Sequence, residues 1–238
     1  MNALPLMRGA TRLVLAAALA AGLGAGLLWL AQRPRFDFHR IQIVGELHHV
    51  SRAAVREAIA GRLQGNFFTM RLAQARRAFE AIPWVAAASV RRVWPDTLVV
   101  TLVERHAIGL WSDGRVVSDA GQLFDVNPAE AELDGPQVEF AGPPSYAPEA
   151  VAKLAALGAV LRPLPAAIAA IDISERASWT VRTQAGQTLE LGRDDPPGSV
   201  QARLAAIVTN YPAVVAQLSG PPAHIDARYN DGFAATRP

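Results

Sequence analysis

Leu13 opens an apolar run that reaches Gln32 without a charged side chain. At about 1.5 Å per helical residue, the run matches roughly the 30 Å hydrocarbon core of a bilayer. Arg8 and Arg12 precede it, and Arg33 and Arg35 follow. The pattern predicts one transmembrane helix over 13–32, behind a tail of residues 1–12 and ahead of a long water-facing remainder. The competing reading, a cleaved secretory signal peptide, needs a shorter apolar core and a small-x-small cleavage site. The length of the run and its close at Trp29-Leu30-Ala31-Gln32-Arg33 favour a retained anchor. Equal arginine pairs on the two flanks leave its orientation undecided by charge. Gly22 and Gly26 form a G-x-x-x-G pair suited to close helix approach, though an Ala/Gly-rich segment makes such pairs by chance as readily.

After the anchor the period changes twice. Phe36 to Val44 alternates apolar and polar in its second half, as a half-buried strand does, and Gly45 ends it. Ser51 is placed to cap a helix whose Val55, Ile59 and Leu63 share one face, with Gly61 and Gly65 weakening and stopping it. Leu72, Ala75, Phe79 and Ile82 form the stripe of a second helix, closed by Pro83. Strands are predicted over 85–93 and 97–104, joined by the turn chemistry of Trp94-Pro95-Asp96-Thr97. The order is strand, helix, helix, strand, strand: a small sandwich with two helices on one sheet face.

From Ala107 onward the chain is richer in turns. Trp111, Gly114, Val116-Val117 and Gly121 suggest short strands with tight connections. Residues 125–148 read as a Pro/Gly-punctuated crossing with one short strand at 138–140. A helix over 149–161 follows, then strands over 168–173, 179–184 and 188–191, the last two a hairpin through Ala185-Gly186. A second helix over 199–210 carries Val200, Leu204 and Ile207/Val208 on one face, and 224–229 is read as the final strand, with nothing after it. The fold class is therefore α+β: a transmembrane helix, a βααββ domain, and a mostly antiparallel β-domain with two flanking helices.

Charge and composition exclude several functions. The chain has 23 basic and 21 acidic residues, and without Arg8 and Arg12 the remainder is formally neutral, with no basic face for nucleic acid. Cysteine is absent, which removes disulfides, thiolate zinc sites and cysteine nucleophiles. Lys153 is the only lysine. The histidines are His39, His48, His49, His106 and His224. His48 and His49 with Glu46 are the best metal candidate, yet strand neighbours point to opposite faces and no H-E-x-x-H spacing occurs. Exposed loop histidines are the better reading. Neither a G-x-S-x-G elbow nor a P-loop is found. The carboxylate pairs Asp194-Asp195 and Glu130/Glu132 lie in Pro/Gly contexts that read as solvated loops, with nothing apolar to raise a pKa. The residues therefore predict no catalytic, metal or cofactor site.

Several motifs add a resemblance. Phe38-x-x-Ile41-x-Ile43-x-Gly45, Val50-Ser51, Pro83-Trp84-Val85, Val90-x-Arg92-x-Trp94-Pro95-x-Thr97-Leu98 and Glu104-Arg105-x-Ala107 resemble a POTRA domain. A single anchor just before one POTRA module, followed by Leu191-Gly192-Arg193-x-Asp195, Asn210-Tyr211-Pro212 and Ile225-Asp226-x-Arg228-Tyr229-x-x-Gly232-x-Ala234, is similar to the FtsQ/DivIB family of bacterial division proteins. The resemblance implies a POTRA domain over 33–106 and a β-domain over 107–238. It implies a single-pass inner-membrane protein of the division septum, N-terminus in the cytoplasm and residues 33–238 in the periplasm. It further implies a non-enzymatic scaffold that binds FtsB and FtsL through the β-domain and links early proteins such as FtsK to septal peptidoglycan synthesis. The FtsK-facing surface is placed near Ile41 to Gly45.

The implied FtsB contacts are Arg193, Arg228, Tyr229 and the stretch Asp231, Gly232, Phe233 and Ala234. Strand physics adds Ile225, since a terminal strand exposes an unpaired edge that a partner strand can extend. On such a strand Ile225, Ala227 and Tyr229 share one face, and Asp226 and Arg228 the other. Each position has a plainer alternative: a core aromatic for Tyr229, and an ion pair or solvated charge for Arg193 and Arg228. Asn230-Asp231-Gly232 has the chemistry to turn the chain rather than extend it. The end, Thr236-Arg237-Pro238, departs from the family pattern by lacking an aromatic residue. Two other readings stay open here: a POTRA-bearing protein of outer-membrane secretion or assembly, and a membrane-tethered periplasmic hydrolase.

Overall fold

The computed structural model describes residues 3–31, 33–135, 137–164, 166–229 and 232–237, with α1 side chains from Leu15 onward. It divides into two compact units, Met1–Glu104 and Arg105–Pro238.

In the first unit, α1 (Ala3–Ala31) is a single helix whose Leu15, Leu19, Leu23, Leu27, Leu28, Trp29 and Leu30 are all more than half exposed. Among the described residues no helix is long and apolar enough to cross a membrane, so the expected span over 13–32 rests on the sequence pattern alone. A 3-10 turn, Pro34–Phe36, precedes β1 (Arg40–Val44), so the expected strand forms only over its alternating half. Ser51 caps α2 (Arg52–Ile59) by accepting the Ala54 amide at 3.1 Å. The helix ends before Leu63, which packs against the core from the loop beyond. Helix α3 (Leu72–Glu80) precedes β2 (Val85–Val93) and β3 (Thr97–Glu104). The three strands lie in the order β1-β3-β2, with β1 parallel and β2 antiparallel to β3. Phe79, Val85, Leu98 and Val100 are fully buried between helices and sheet. Burial of each such side chain stabilises the unit by about 1.5–3 kcal/mol.

Glu104 ties the end of β3 to the loop leading into α2. Its carboxylate accepts the backbone amides of His48, His49 and Val50 at 2.7, 2.9 and 2.6 Å. This loop also corrects the expectation of two solvated histidines. The His48 side chain is 75 % exposed, but that of His49 is 2 % exposed and stacks on Trp84 at 3.8 Å between ring centroids. Among the described residues no cluster of three or more candidate ligands could hold a metal ion.

The second unit is built on one nine-stranded sheet. It contains β4 (Ala107–Trp111), β5 (Val116–Ser118), β6 (Leu123–Phe124), a short α4 (Pro128–Ala131) and β7 (Val138–Ala141). Then follow α5 (Ala147–Leu161), β8 (Ile168–Ile173), β9 (Ser178–Thr183) and β10 (Thr188–Arg193). Helix α6 (Ser199–Leu218), β11 (His224–Asp226) and β12 (Ala234–Thr236) complete it. The order is β12-β11-β10-β9-β8-β7-β4-β5-β6. Parallel pairing occurs at β4/β7, β7/β8 and β10/β11, and the other neighbours are antiparallel. Parallel neighbours need a long crossover. Helix α5 supplies it between β7 and β8, and α6 between β10 and β11. The two helices touch, and Leu157, Leu161, Leu204 and Ile207 share a core with Ile171, Trp179, Val181 and Ile225.

Two sequence expectations fail here. Helix α6 does not end at Asn210 but runs through Pro212. Next to the proline, the Tyr211 hydroxyl accepts a hydrogen bond from Gln187 Nε2 at 2.7 Å and ties the helix to the loop before β10. It stops where Ser219 takes φ 54° and the Gly220 amide reaches the Val215 carbonyl at 3.0 Å. The strand at 224 is also not the last, because β12 covers its outer side.

Replacing Glu104 by Ala leaves three amides without their charged acceptor, a loss of about 3 kcal/mol. Hydrogen exchange should accelerate at residues 48–50 and through α2 while β8 to β10 stay protected; unchanged exchange at 48–50 would show that the carboxylate does not hold the loop.

Candidate partner-binding surface

The end of β10 shapes this surface. A bulge between Glu190 and Gly192 shifts its register against β9, and Gly192 adopts φ +74°, a conformation glycine accepts at no steric cost. Behind the bulge, Arg203 of α6 donates to the Leu191 carbonyl at 2.5 Å and the Arg193 carbonyl at 2.7 Å. Ser199 Oγ donates to the same Arg193 carbonyl at 3.0 Å. The Arg193 backbone is therefore fixed, while its guanidinium is exposed and has no ion-pair partner among the described residues.

Beside it Arg228 is fully engaged. Its Nε lies 2.9 Å from Asp226 Oδ1 and 2.9 Å from Glu190 Oε2, and one terminal nitrogen lies 2.7 Å from Asp226 Oδ2. The Arg228 hydrogen bond outweighs burial and holds the Asp226 carboxyl below the ordinary range, while Arg228 is raised above its own. The ion pair considered for Arg228 is thus present, yet 55 % of its side chain remains exposed. Glu190, Arg193, Arg203 and Arg228 line an open groove of about 710 Å³ together with Arg176, Asp172 and Thr180. Arg176 and Arg203 were not singled out from the sequence. Neither falls on a periodic stripe, and only the sheet brings the β8–β9 turn and α6 to the end of β10.

The other expected contacts separate into different environments. Ile225 is fully buried in the core beneath its neighbours and offers no surface, which corrects its placement as a contact. Strand β11 stops at Asp226, so Tyr229 lies beyond it and stands 61 % exposed. Phe233 is half-buried and packs on the core, whereas Gly232 and Ala234 are exposed. Asn230 and Asp231 lie outside the described residues. β12 is the outermost strand of its sheet edge among the described residues, and Phe233, Ala235, Val214 and Leu218 line a second groove of about 550 Å³ between it and α6.

Comparison with known proteins fits this architecture. Residues 36–105 match the family model described as POTRA domain, FtsQ-type, and residues 109–228 match Cell division protein FtsQ/DivIB, C-terminal. The chain belongs to the FtsQ/DivIB family of cell division proteins. It is 40 % identical over 210 residues to Cell division protein FtsQ of Burkholderia pseudomallei, covering 88 % of this chain and 83 % of that one. The FtsQ of Bordetella pertussis is 39 % identical over 233 residues, covering 91 % and 85 %. For Nitrosospira multiformis the identity is 37 % over 191 residues, covering 80 % and 77 %. These matches give a role in cell division, and the outer-membrane assembly reading gives way to it.

Asp194, which follows the FtsQ-like Leu191-Gly192-Arg193, is not a solvated turn residue as expected. Its carboxylate receives Lys153 Nζ at 2.5 Å and the Val200 amide at 3.0 Å, closing the N-terminus of α6. Lys153 also lies 5.3 Å over the Trp179 ring and 3.7 Å from Glu149. The single lysine is therefore a tie between α5, the sheet and α6. Burial pushes the Asp194 carboxyl up, but the hydrogen bonds from Lys153, Val200 and Gly198 outweigh it and leave the group below its ordinary range.

A carboxyl depressed by folding stabilises the chain above its unfolded value of about 3.9 and loses that contribution as pH falls through the folded value. Lys153→Met should cost about 3 kcal/mol at pH 7 in denaturant unfolding, by leaving a largely buried carboxylate unpaired. The deficit should shrink as the medium is acidified below pH 4. A deficit that stays constant with pH would show that Lys153 acts through packing alone.

Proposed function

We propose that this chain is a non-enzymatic divisome scaffold, held in the inner membrane by residues 13–32, with residues 33–238 in the periplasm. In this reading the β-domain, over 107–238, binds the FtsB/FtsL pair and couples earlier division proteins to septal peptidoglycan synthesis. The anchor rests on the uncharged run and on the exposed leucines of α1, which nothing in the unit covers. The POTRA domain, over 33–106, offers a separate surface. There β1 is an edge strand with Ile41 39 % and Val44 42 % exposed, beside a groove lined by Ile43, Leu47 and Val55. An early protein such as FtsK is assigned to that edge.

The reading is carried by the open edge of β12, together with an unpaired arginine at the end of β10, two strands in from that edge. An edge strand lends its outward amides and carbonyls to an incoming strand, which gives affinity without regard to side chains. Selectivity then comes from Tyr229, exposed past the end of β11, and from Arg193, whose guanidinium pairs best with a carboxylate on the partner. Arg228, Gly232, Phe233 and Ala234 form the remaining frame, and Asp231 belongs to the same proposed stretch.

Titration of the full chain in detergent micelles with the cognate FtsB periplasmic segment, with and without FtsL, tests this. Tyr229→Ala and Arg193→Glu, each shown to unfold like the parent, should each weaken binding about thirtyfold, the ~2 kcal/mol of an interface hot spot. Parent-like affinity in both variants would remove the contact from this edge.

A further inference from the structure

A ring cluster in the first unit is unused by the proposed function. Phe36, Phe38, Phe67, Phe68 and Trp94 come from three separated stretches of chain. Phe36 meets Phe68 edge-on at 5.0 Å, Phe67 meets Trp94 edge-on at 5.3 Å, and Phe67 meets Phe68 at 5.4 Å. Phe38 closes on Phe67 at 5.9 Å. Aromatic contacts of this kind are usually buried, yet Trp94 is 62 % and Phe68 52 % exposed.

The cluster is bonded to the end of α1. Asn66 is 4 % exposed, and its amide donates to the Ala31 carbonyl at 2.6 Å and to the Arg33 carbonyl at 3.5 Å. Its Oδ1 accepts the amides of Phe68 and Thr69 at 3.1 and 3.2 Å. One side chain thus joins the last turn of the helix to the loop that displays the rings. The helix end itself pairs Trp29 with Arg33, whose guanidinium lies 3.5 Å from the ring centroid.

We infer that Phe36, Phe67, Phe68 and Trp94 form a second membrane contact, seating the POTRA domain in the headgroup layer of the bilayer that α1 enters. This rests on the reading of α1 as an anchor. The interfacial layer is roughly 5–8 Å thick on each side of the hydrocarbon core. A loop bonded directly to the helix's last carbonyls falls within that depth. Tryptophan and arginine are the side chains that this layer favours, since each combines an apolar body with a polar tip. The loop's backbone points the same way. The Phe67 amide is taken by the Phe36 carbonyl at 2.8 Å and the Met70 amide by Asn66 at 2.9 Å, so the cluster offers rings rather than a strand edge. Rings without directed backbone groups suit lipid better than a protein strand. Asp37 and Asp96 are the carboxylates flanking the cluster in sequence, and Asp96 is paired with His39 at 3.6 Å.

The chain has no native cysteine, so single labels are unambiguous. Phe68→Cys, Trp94→Cys, Leu23→Cys and Arg76→Cys would each carry an environment-sensitive fluorophore in the full chain. The variants would be reconstituted in phosphatidylcholine/phosphatidylglycerol vesicles bearing nitroxides at headgroup or deep acyl positions. Labels at 68 and 94 should lose fluorescence to headgroup nitroxides, the label at 23 to deep ones, and the label at 76, on the exposed face of α3, to neither. Phe68→Cys and Trp94→Cys each remove one ring only, so either carries the test if the other fails to fold. Quenching at 23 with none at 68 and 94 would overturn this contact, leave the anchor standing and point to water or a protein at the rings. Equal quenching at 76 and 68 would replace a ring-specific contact by general surface adhesion, which also overturns it. No quenching at any position would end both readings.

Discussion

The guanidinium of Arg203 bonds the carbonyls on either side of Gly192, and the shape of the β-domain's outer edge depends on that bridge. Strand carbonyls at a bulge lose their ladder partners, and leaving them unsatisfied inside the fold costs about 1–3 kcal/mol each. Arg203 meets both from α6, so the bulge is held by the helix that crosses from β10 to β11. A side chain at 192 would contend with positive φ and with Arg203 and Arg228, each 3.3 Å from its first carbon. Glycine and arginine together fix the Arg193 backbone and leave its charge outside. Arg228, one strand over, is neutralised by Asp226 and Glu190. Two neighbouring arginines thus differ in kind: one is internal framework, the other keeps its charge exposed.

The same division recurs through the chain. Lys153 and Asp194 fasten α5 to α6, while Glu104 fastens the loop before α2 to β3. Each is a charged group spent on structure, with its partner 41 residues away in one case and 54 in the other. Apolar surface shows the converse. The leucines of α1, the rings around Trp94 and the edges of β1 and β12 stay exposed. In the proposed scaffold role, function lies in surfaces of this kind, which are incomplete alone.

How much of this the sequence disclosed follows the range of each signal. β2 and β3 are legible residue for residue, because each is a long apolar-rich run bounded by a proline turn. The Ser51 cap and the α3 stripe were equally local. Helix α6 was cut short since a proline was read as a stop, whereas packing carries the helix past it. Strand β12 was missed because three small residues, Ala234, Ala235 and Thr236, carry no alternation. Its existence is a consequence of β11 lying open beside it. Asp194 was misread for lack of its distant lysine, and Ile225 was offered as a contact because nothing local announces a covering strand. The residues proposed to meet a partner came through resemblance; their separation into free, paired and buried came only from the fold.

Strand addition at β12 makes one claim that contact mutations cannot isolate, since it runs through backbone rather than side chains. Amide hydrogen exchange of the full chain, free and saturated with the FtsB periplasmic segment, reads it directly. The account predicts slowed exchange at residues 234–236, with β4 to β6 on the far edge unchanged. Saturable binding with exchange at 234–236 unaltered would contradict it, and would place the partner on side chains elsewhere.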